Sequence, residues 1–186
     1  MNPVVMLDPA IGGLIVGCFA LLFASAAGHK LRDLHRFAEV FAAYGIAPAV
    51  DRWQLSWLVP MVEIAVALGL LLPPARSTAA AAGAVLLLGY AIAIGINLRA
   101  GRNAIACGCG GADQRRPIAG WMVWRNLLLA ALLGLAMLPR SARALEWTDG
   151  VTIGFGLASI ALLYWCAERL LGELGRTRSA GSGGTA

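Results

Sequence analysis

Five apolar stretches, at 9–28, 55–73, 78–97, 118–138 and 150–167, limit what this chain can fold into. Each is about 20 residues, the length a helix needs to cross the hydrocarbon layer of a bilayer. The first, third and fifth contain no Asp, Glu, Lys or Arg; the second contains only Glu63 and the fourth only Arg125. Backbone polar groups in hydrocarbon must pair within their own segment, and helices achieve this. The expected architecture is all-α: a polytopic membrane bundle of about five transmembrane helices over 1–171, followed by a disordered tail over 172–186, where Gly and Ser are frequent and apolar residues few. Composition agrees, with 59% apolar and 13% charged residues in 186, whereas soluble domains carry about 25% charged residues. These values exclude a disordered chain and argue against an ordinary cytosolic enzyme. Four cysteines are too few for a disulfide scaffold. No run of five basic residues occurs, so the net charge of +5 is not a nucleic-acid footprint.

Boundary residues match these limits. Asp8-Pro9 reads as an N-cap followed by proline in the first turn. Pro73-Pro74 ends the second stretch, Ser77 or Thr78 can cap the third, and Pro139 closes the fourth. Trp53, Trp57, Trp121, Trp124, Trp147 and Trp165 fall near the ends, where amphipathic rings sit at the membrane interface. Gly13-x-x-x-Gly17 and Gly150-x-x-x-Gly154 offer small faces for helix packing within the chain. In the polar connection 29–54, Leu34, Phe37, Ala38 and Phe41 recur at helical spacing and predict a short interfacial helix. The first stretch lacks a preceding basic region and reads as a retained helix rather than a cleaved signal.

Charge sets an expected orientation. With five crossings, one side holds Lys30, Arg32, Arg36, Arg52, Arg99, Arg102, Arg115, Arg116, Arg169, Arg176 and Arg178, and the other holds Arg76, Arg140 and Arg143. Basic loops stay cytoplasmic. The N-terminus is therefore expected outside, and the C-terminus and the 98–117 loop inside, the inner membrane of the cell.

That loop carries the sharpest chemical feature, Cys107-Gly108-Cys109-Gly110-Gly111. Two thiols one residue apart can close a small strained disulfide ring, and strain makes a disulfide easier to reduce. Arg99, Arg102, Arg115 and Arg116 favour thiolate over thiol. The pattern suits thiol–disulfide exchange, with a redox-active Cys107–Cys109 disulfide and no other cofactor indicated. A metal site is the alternative: Cys107 and Cys109 with His29 or His35 form a donor set for Zn²⁺ or Cu(I), the chemistry of a metal or small-solute transporter or chaperone. A third reading is a non-catalytic scaffold that holds a partner at the membrane. Cys166 is a candidate resolving thiol, whereas Cys18 reads as a small hydrophobe within its helix. Glu63 and Arg125 lie within spans, where ionisable residues face the bundle interior and find partners. Their depths let them pair, with Asn97 and Asn126 alongside, as a supporting polar cluster beneath the thiols.

Several of these residues form an ordered series. Ala27-Gly-His-Lys-Leu-Arg-Asp33 follows the first span, Pro60-Met-Val-Glu63 lies in the second, and Asn97-Leu-Arg-x-Gly-Arg102 precedes Cys107-Gly-Cys109. Trp124-Arg125-Asn126 follows in the fourth span. The series resembles the methylamine utilisation protein MauE family, related to the DoxX-like redox-associated membrane proteins, over the whole chain except the tail. Gly110 departs from it where an aromatic is expected. The resemblance implies an inner-membrane factor needed to mature the methylamine dehydrogenase light subunit, a secreted, disulfide-rich client carrying tryptophan tryptophylquinone. It also implies a thioredoxin-like partner of the MauD type. A client outside the membrane would favour outward-facing thiols, whereas the charge count faces them inward; a transmembrane relay of reducing equivalents or a re-entrant span would reconcile the two.

Overall fold

The computed structural model describes residues 6–45, 52–102, 104–105, 117–139, 141 and 143–181, with backbone alone at 52–55, 168–169 and 171–181. Within these residues the chain is helical: α1 (Pro9–Arg32), α2 (Leu34–Ala43), α3 (Arg52–Leu71), α4 (Arg76–Arg99), α5 (Gly120–Gly134) and α6 (Trp147–Gly181), with single 3₁₀ turns at Pro73–Ala75 and Leu135–Met137. Every expected span lies on a helix, and the bundle is an all-α polytopic membrane protein. Four helical segments, Pro9–Arg32, Pro73–Arg99, Gly120–Met137 and Trp147–Ala167, are long and apolar enough to cross a membrane; in α3 the apolar segment Ser56–Leu71 is shorter. All 20 residues of α3 nonetheless span about 30 Å at the helical rise, and α3 packs along α1 and α4.

Local chemistry sets most boundaries. The Asp8 carboxylate accepts a hydrogen bond from Ala10 N–H at 2.8 Å with Pro9 in the first turn. Asp33 breaks the chain between α1 and α2 and caps α2 by accepting from Arg36 N–H at 3.1 Å. Pro73-Pro74 stops α3, and the Arg76 guanidinium donates to the Leu70 carbonyl that the helix end leaves over. The cap expected at Ser77 or Thr78 is not used. α4 begins earlier, behind Ala75, and Thr78 Oγ1 donates back to the Ala75 carbonyl at 2.8 Å. α6 continues to Gly181, so the backbone of 172–181 is helical where the sequence led us to expect disorder. No proline interrupts that stretch, and Glu173, Leu174 and Arg176 are good helix formers. Residues 182–186 lie outside the described part.

Lipid tails are as apolar as leucine side chains, so these helices are held by close packing and polar contacts rather than by the hydrophobic effect. The core is built on Phe19, Phe23, Val66, Leu70, Leu87 and Leu133. Its tightest point is Gly83 of α4. A Cβ there would stand 2.8 Å from Leu133 and 3.0 Å from both Phe23 and Val66. The Gly13 and Gly17 face works as anticipated, receiving Ile153 and Leu157 of α6. The Gly150 and Gly154 face does not, since nothing lies within 4 Å of a Cβ at either position; α6 instead offers Gly156 to Leu14. At the same end, Arg143 donates to both Asp8 and Asp149, tying the starts of α1 and α6 together.

Gly83→Val should therefore lower the unfolding free energy in detergent by about 1–3 kcal/mol through overpacking. Gly95→Ala, where a Cβ meets nothing within 4 Å, should leave it unchanged or raise it by up to about 1 kcal/mol. Denaturant titration followed by circular dichroism measures both, and equal losses would contradict the packing described.

Candidate functional site

The buried stripe of α1 runs Val16, Phe19, Ala20, Phe23, Ala27 and Lys30. Because the helix continues beyond the apolar stretch to Arg32, the three-and-four spacing carries Lys30 onto the interior face. There its ammonium meets the carboxylate of Glu63 on α3, with Nζ to Oε1 at 2.5 Å. Tyr90 of α4 donates its hydroxyl to the same oxygen at 2.7 Å. Lys30 is 5% exposed and Glu63 0%. The rest of the ammonium faces aromatic rings, 5.5 Å from the Phe37 centroid and 5.3 Å from that of Tyr90, a contact that favours a cation held out of water. Glu63 Oε2 has no hydrogen-bond partner among the described residues.

The expected pairing of Glu63 with Arg125 is corrected here: the cation on the carboxylate is Lys30. Depth along the spans alone favoured Arg125, but Lys30 reaches the same depth from the end of α1. Arg125 lies in the same place by another route, with its guanidinium over the Trp121 ring at 5.3 Å. Arg125, Asn126, Lys30, Glu63 and Tyr90 line one partly open cavity of about 110 Å³. Asn126 is buried and donates to the Met122 carbonyl at 2.8 Å. Asn97, also buried, donates to the Ala93 carbonyl and, across to α2, to the Tyr44 carbonyl. Three members of the expected polar cluster thus line the cavity, and Asn97 instead fastens its α2 wall. α2 is that wall, with Phe37, Val40, Phe41 and then Tyr44 facing inward. Burial pushes the Tyr44 phenol up to about 12, so it stays neutral at physiological pH.

Above this end lies the base of the thiol loop. Ile118 N–H donates to the Ile105 carbonyl at 2.9 Å and Arg102 N–H to the Asn97 carbonyl at 3.0 Å. Ile94, Ile118 and Met122 pack beneath, with Tyr44, Leu98, Ile105 and Val123 around them. Cys107 and Cys109 themselves fall outside the described residues. Cys166 is exposed on α6, and Cys18 is half-buried on α1. His29 is half-buried and His35 exposed. Among the described residues no group of three or more His, Cys, Asp or Glu is placed to hold a metal ion.

The methylamine utilisation protein MauE family model matches residues 8–139. This chain belongs to that family. Among MauE proteins similar to it, one from Paracoccus denitrificans is 37% identical over 162 residues, covering 87% of each chain. Another, from Paracoccus versutus, is 34% identical over 179 residues, covering 96% of each, and one from Methylophilus methylotrophus is 31% identical over 171 residues. No solved structure matches the chain. The stretch matched by the family model contains the ion pair, the thiol loop and the cavity lining apart from Tyr164, and stops before α6, although the similarity to individual MauE proteins runs on beyond it.

Sequence reasoning missed two residues, Lys30 and Tyr90. A signal existed for the first: extending the α1 stripe three residues past Ala27 lands on Lys30. Tyr90 carried none, since nothing marks one tyrosine in an apolar helix as a carboxylate partner.

Removing one member of a buried ion pair strands the other. Lys30→Met and Glu63→Leu should each cost about 3–5 kcal/mol, while the double variant should cost clearly less than their sum. Denaturant titrations of the four proteins give the coupling, and strict additivity would contradict the pairing.

Proposed function

We propose that this membrane protein serves methylamine utilisation as a thiol–disulfide exchange factor acting through Cys107 and Cys109. The observation that carries the reading is the cysteine pair itself, lying inside the region matched to the MauE family. Two thiols one residue apart, among Arg99, Arg102, Arg115 and Arg116, form a couple that is easily ionised and easily reduced. One thiolate attacks a partner's disulfide, forming a mixed disulfide and releasing the partner's other sulfur as thiolate. The second cysteine then attacks the mixed disulfide, closing Cys107–Cys109 and leaving the partner reduced by two electrons. Run in reverse, the same steps oxidise the partner. The packed loop base supports this chemistry, because it tethers the thiols to the ends of two long helices. The partner is a thioredoxin-like protein of the MauD type, and the client is the disulfide-rich light subunit of methylamine dehydrogenase.

The setting is the cytoplasmic membrane, with five crossings and the thiol loop inside. Burial of Lys30 removes one cation from the surface count, leaving ten basic residues on the loop side against three opposite, so the charge asymmetry persists.

Two experiments test this. Thiol-trapping gels should show Cys107 and Cys109 shifting between oxidised and reduced forms in growing cells, and Cys107→Ser or Cys109→Ser should abolish growth on methylamine. Thiols that stay reduced under oxidant, together with full growth of both variants, would refute the exchange. A membrane-impermeant maleimide should leave Cys107 and Cys109 unlabelled in intact cells and label them in inverted vesicles; the opposite pattern would reverse the orientation.

A further inference from the structure

Asn97 is a polar residue near the end of a membrane-crossing helix, and it is 1% exposed. Its side-chain amide carries two donor hydrogens and meets two carbonyls. One is Ala93 of its own helix at 3.0 Å, the other Tyr44 of α2 at 3.2 Å. The Tyr44 carbonyl is one of those that a helix end leaves over, so the second bond docks the end of α2 on α4. The main chain of Asn97 has a separate task. Its carbonyl accepts the Arg102 N–H at 3.0 Å, while the Leu98 carbonyl accepts the Gly101 N–H at 3.1 Å. With Gly101 at φ +72°, these two bonds make a Schellman ending, in which a left-handed glycine turns the chain out of the helix. Arg102 then carries its guanidinium to the same end of α2, where Nη1 lies 3.0 Å from the place a Cβ on Gly45 would take.

The chain that leaves this turn leads to the cysteines. Ile105 accepts the Ile118 N–H at 2.9 Å, which closes the stem of the loop. Ile105 and Tyr44 both pack on the cluster of Ile94, Ile118 and Met122. Cys107 follows Ile105 by two residues, a reach of about 7 Å at most. The end of α2 and the stem of the thiol loop are therefore fastened to each other, and Asn97 joins them through both its side chain and its main chain.

On the thiol-exchange reading above, we infer that Asn97 is a positioning residue for the Cys107–Cys109 couple, holding the backbone that enters the loop against α2. A disulfide ring closed across one residue is strained, and strain favours the dithiol. A stem fixed on both sides keeps that ring from relaxing. Releasing the stem moves the exchange equilibrium toward the disulfide.

Equilibrating the full chain in lipid nanodiscs with glutathione buffers, then quenching with a maleimide and reading the 107–109 peptide by mass spectrometry, measures the couple. Asn97→Leu, similar in size but without donors, should shift the equilibrium constant about tenfold or more toward the disulfide. Gly101→Val is the second variant, should the first fold poorly. Gly101 is exposed and a Cβ there meets nothing within 4 Å, so the change strains only the left-handed turn and should shift the constant the same way. Gly83→Val, which loosens the tight packing elsewhere, controls for lost stability and should leave the constant unchanged. The alkylation rate of the reduced pair at fixed pH is measured alongside. It should fall about threefold or more in Asn97→Leu and Gly101→Val, because a loosened stem weakens the influence of the arginines that favour thiolate, and stay constant in Gly83→Val. An unchanged constant in Gly101→Val or in a folded Asn97→Leu, a shift toward the dithiol, or an equal shift in Gly83→Val would each overturn the assignment. If the unaltered pair forms no disulfide in any buffer, the exchange reading falls, and the alkylation rates alone decide whether Asn97 positions the thiols.

Discussion

One buried carboxylate organises the bundle. Glu63 sits on α3 among apolar residues, where an unpaired charge would be costly, and it is answered from two other helices. Lys30 reaches it from α1 and Tyr90 from α4. Three long helices thereby acquire a fixed rotation and height relative to one another. Lipid gives little help with this, since apolar helix faces gain almost nothing by exchanging lipid for protein. The same contact explains why α1 extends beyond its apolar stretch: the last turn delivers the lysine.

Around that contact the fold divides into a tight half and an open half. Toward the Asp8 end, small residues let helices approach closely, with Gly83 receiving Leu133, Phe23 and Val66, and Gly13 and Gly17 receiving side chains of α6. Toward the other end, large aromatic side chains and the short helix α2 hold the helices apart, and a cavity remains. α2 is fastened where Asn97 donates to the Tyr44 carbonyl. The polar residues of the spans gather at the open half, directly beneath the base of the thiol loop.

The family model matches the region 8–139, which holds the ion pair and most of the cavity lining. α6 lies beyond it, and none of its most apolar window is buried within the protein. Its role in the fold is to cover the glycine face of α1 and to be tied by Arg143 to Asp8.

Much of this was legible in the chain itself. Long uncharged stretches determined that helices would form and roughly where, because hydrocarbon tolerates little else. Asp8-Pro9, Pro73-Pro74 and the spacing of Leu34, Phe37, Ala38 and Phe41 determined where helices begin, stop or turn aside, because capping and φ restriction act over a few residues. Depth along the spans also marked Glu63, Arg125 and Asn126 as interior polar groups. Tertiary structure alone decided which cation answers Glu63. That choice depends on the rotation of α1 against α3 and on a tyrosine from α4, over separations of 33 and 27 residues. It also decided which glycines are notches and that a cavity exists, because both are properties of surfaces brought together and no single helix carries them.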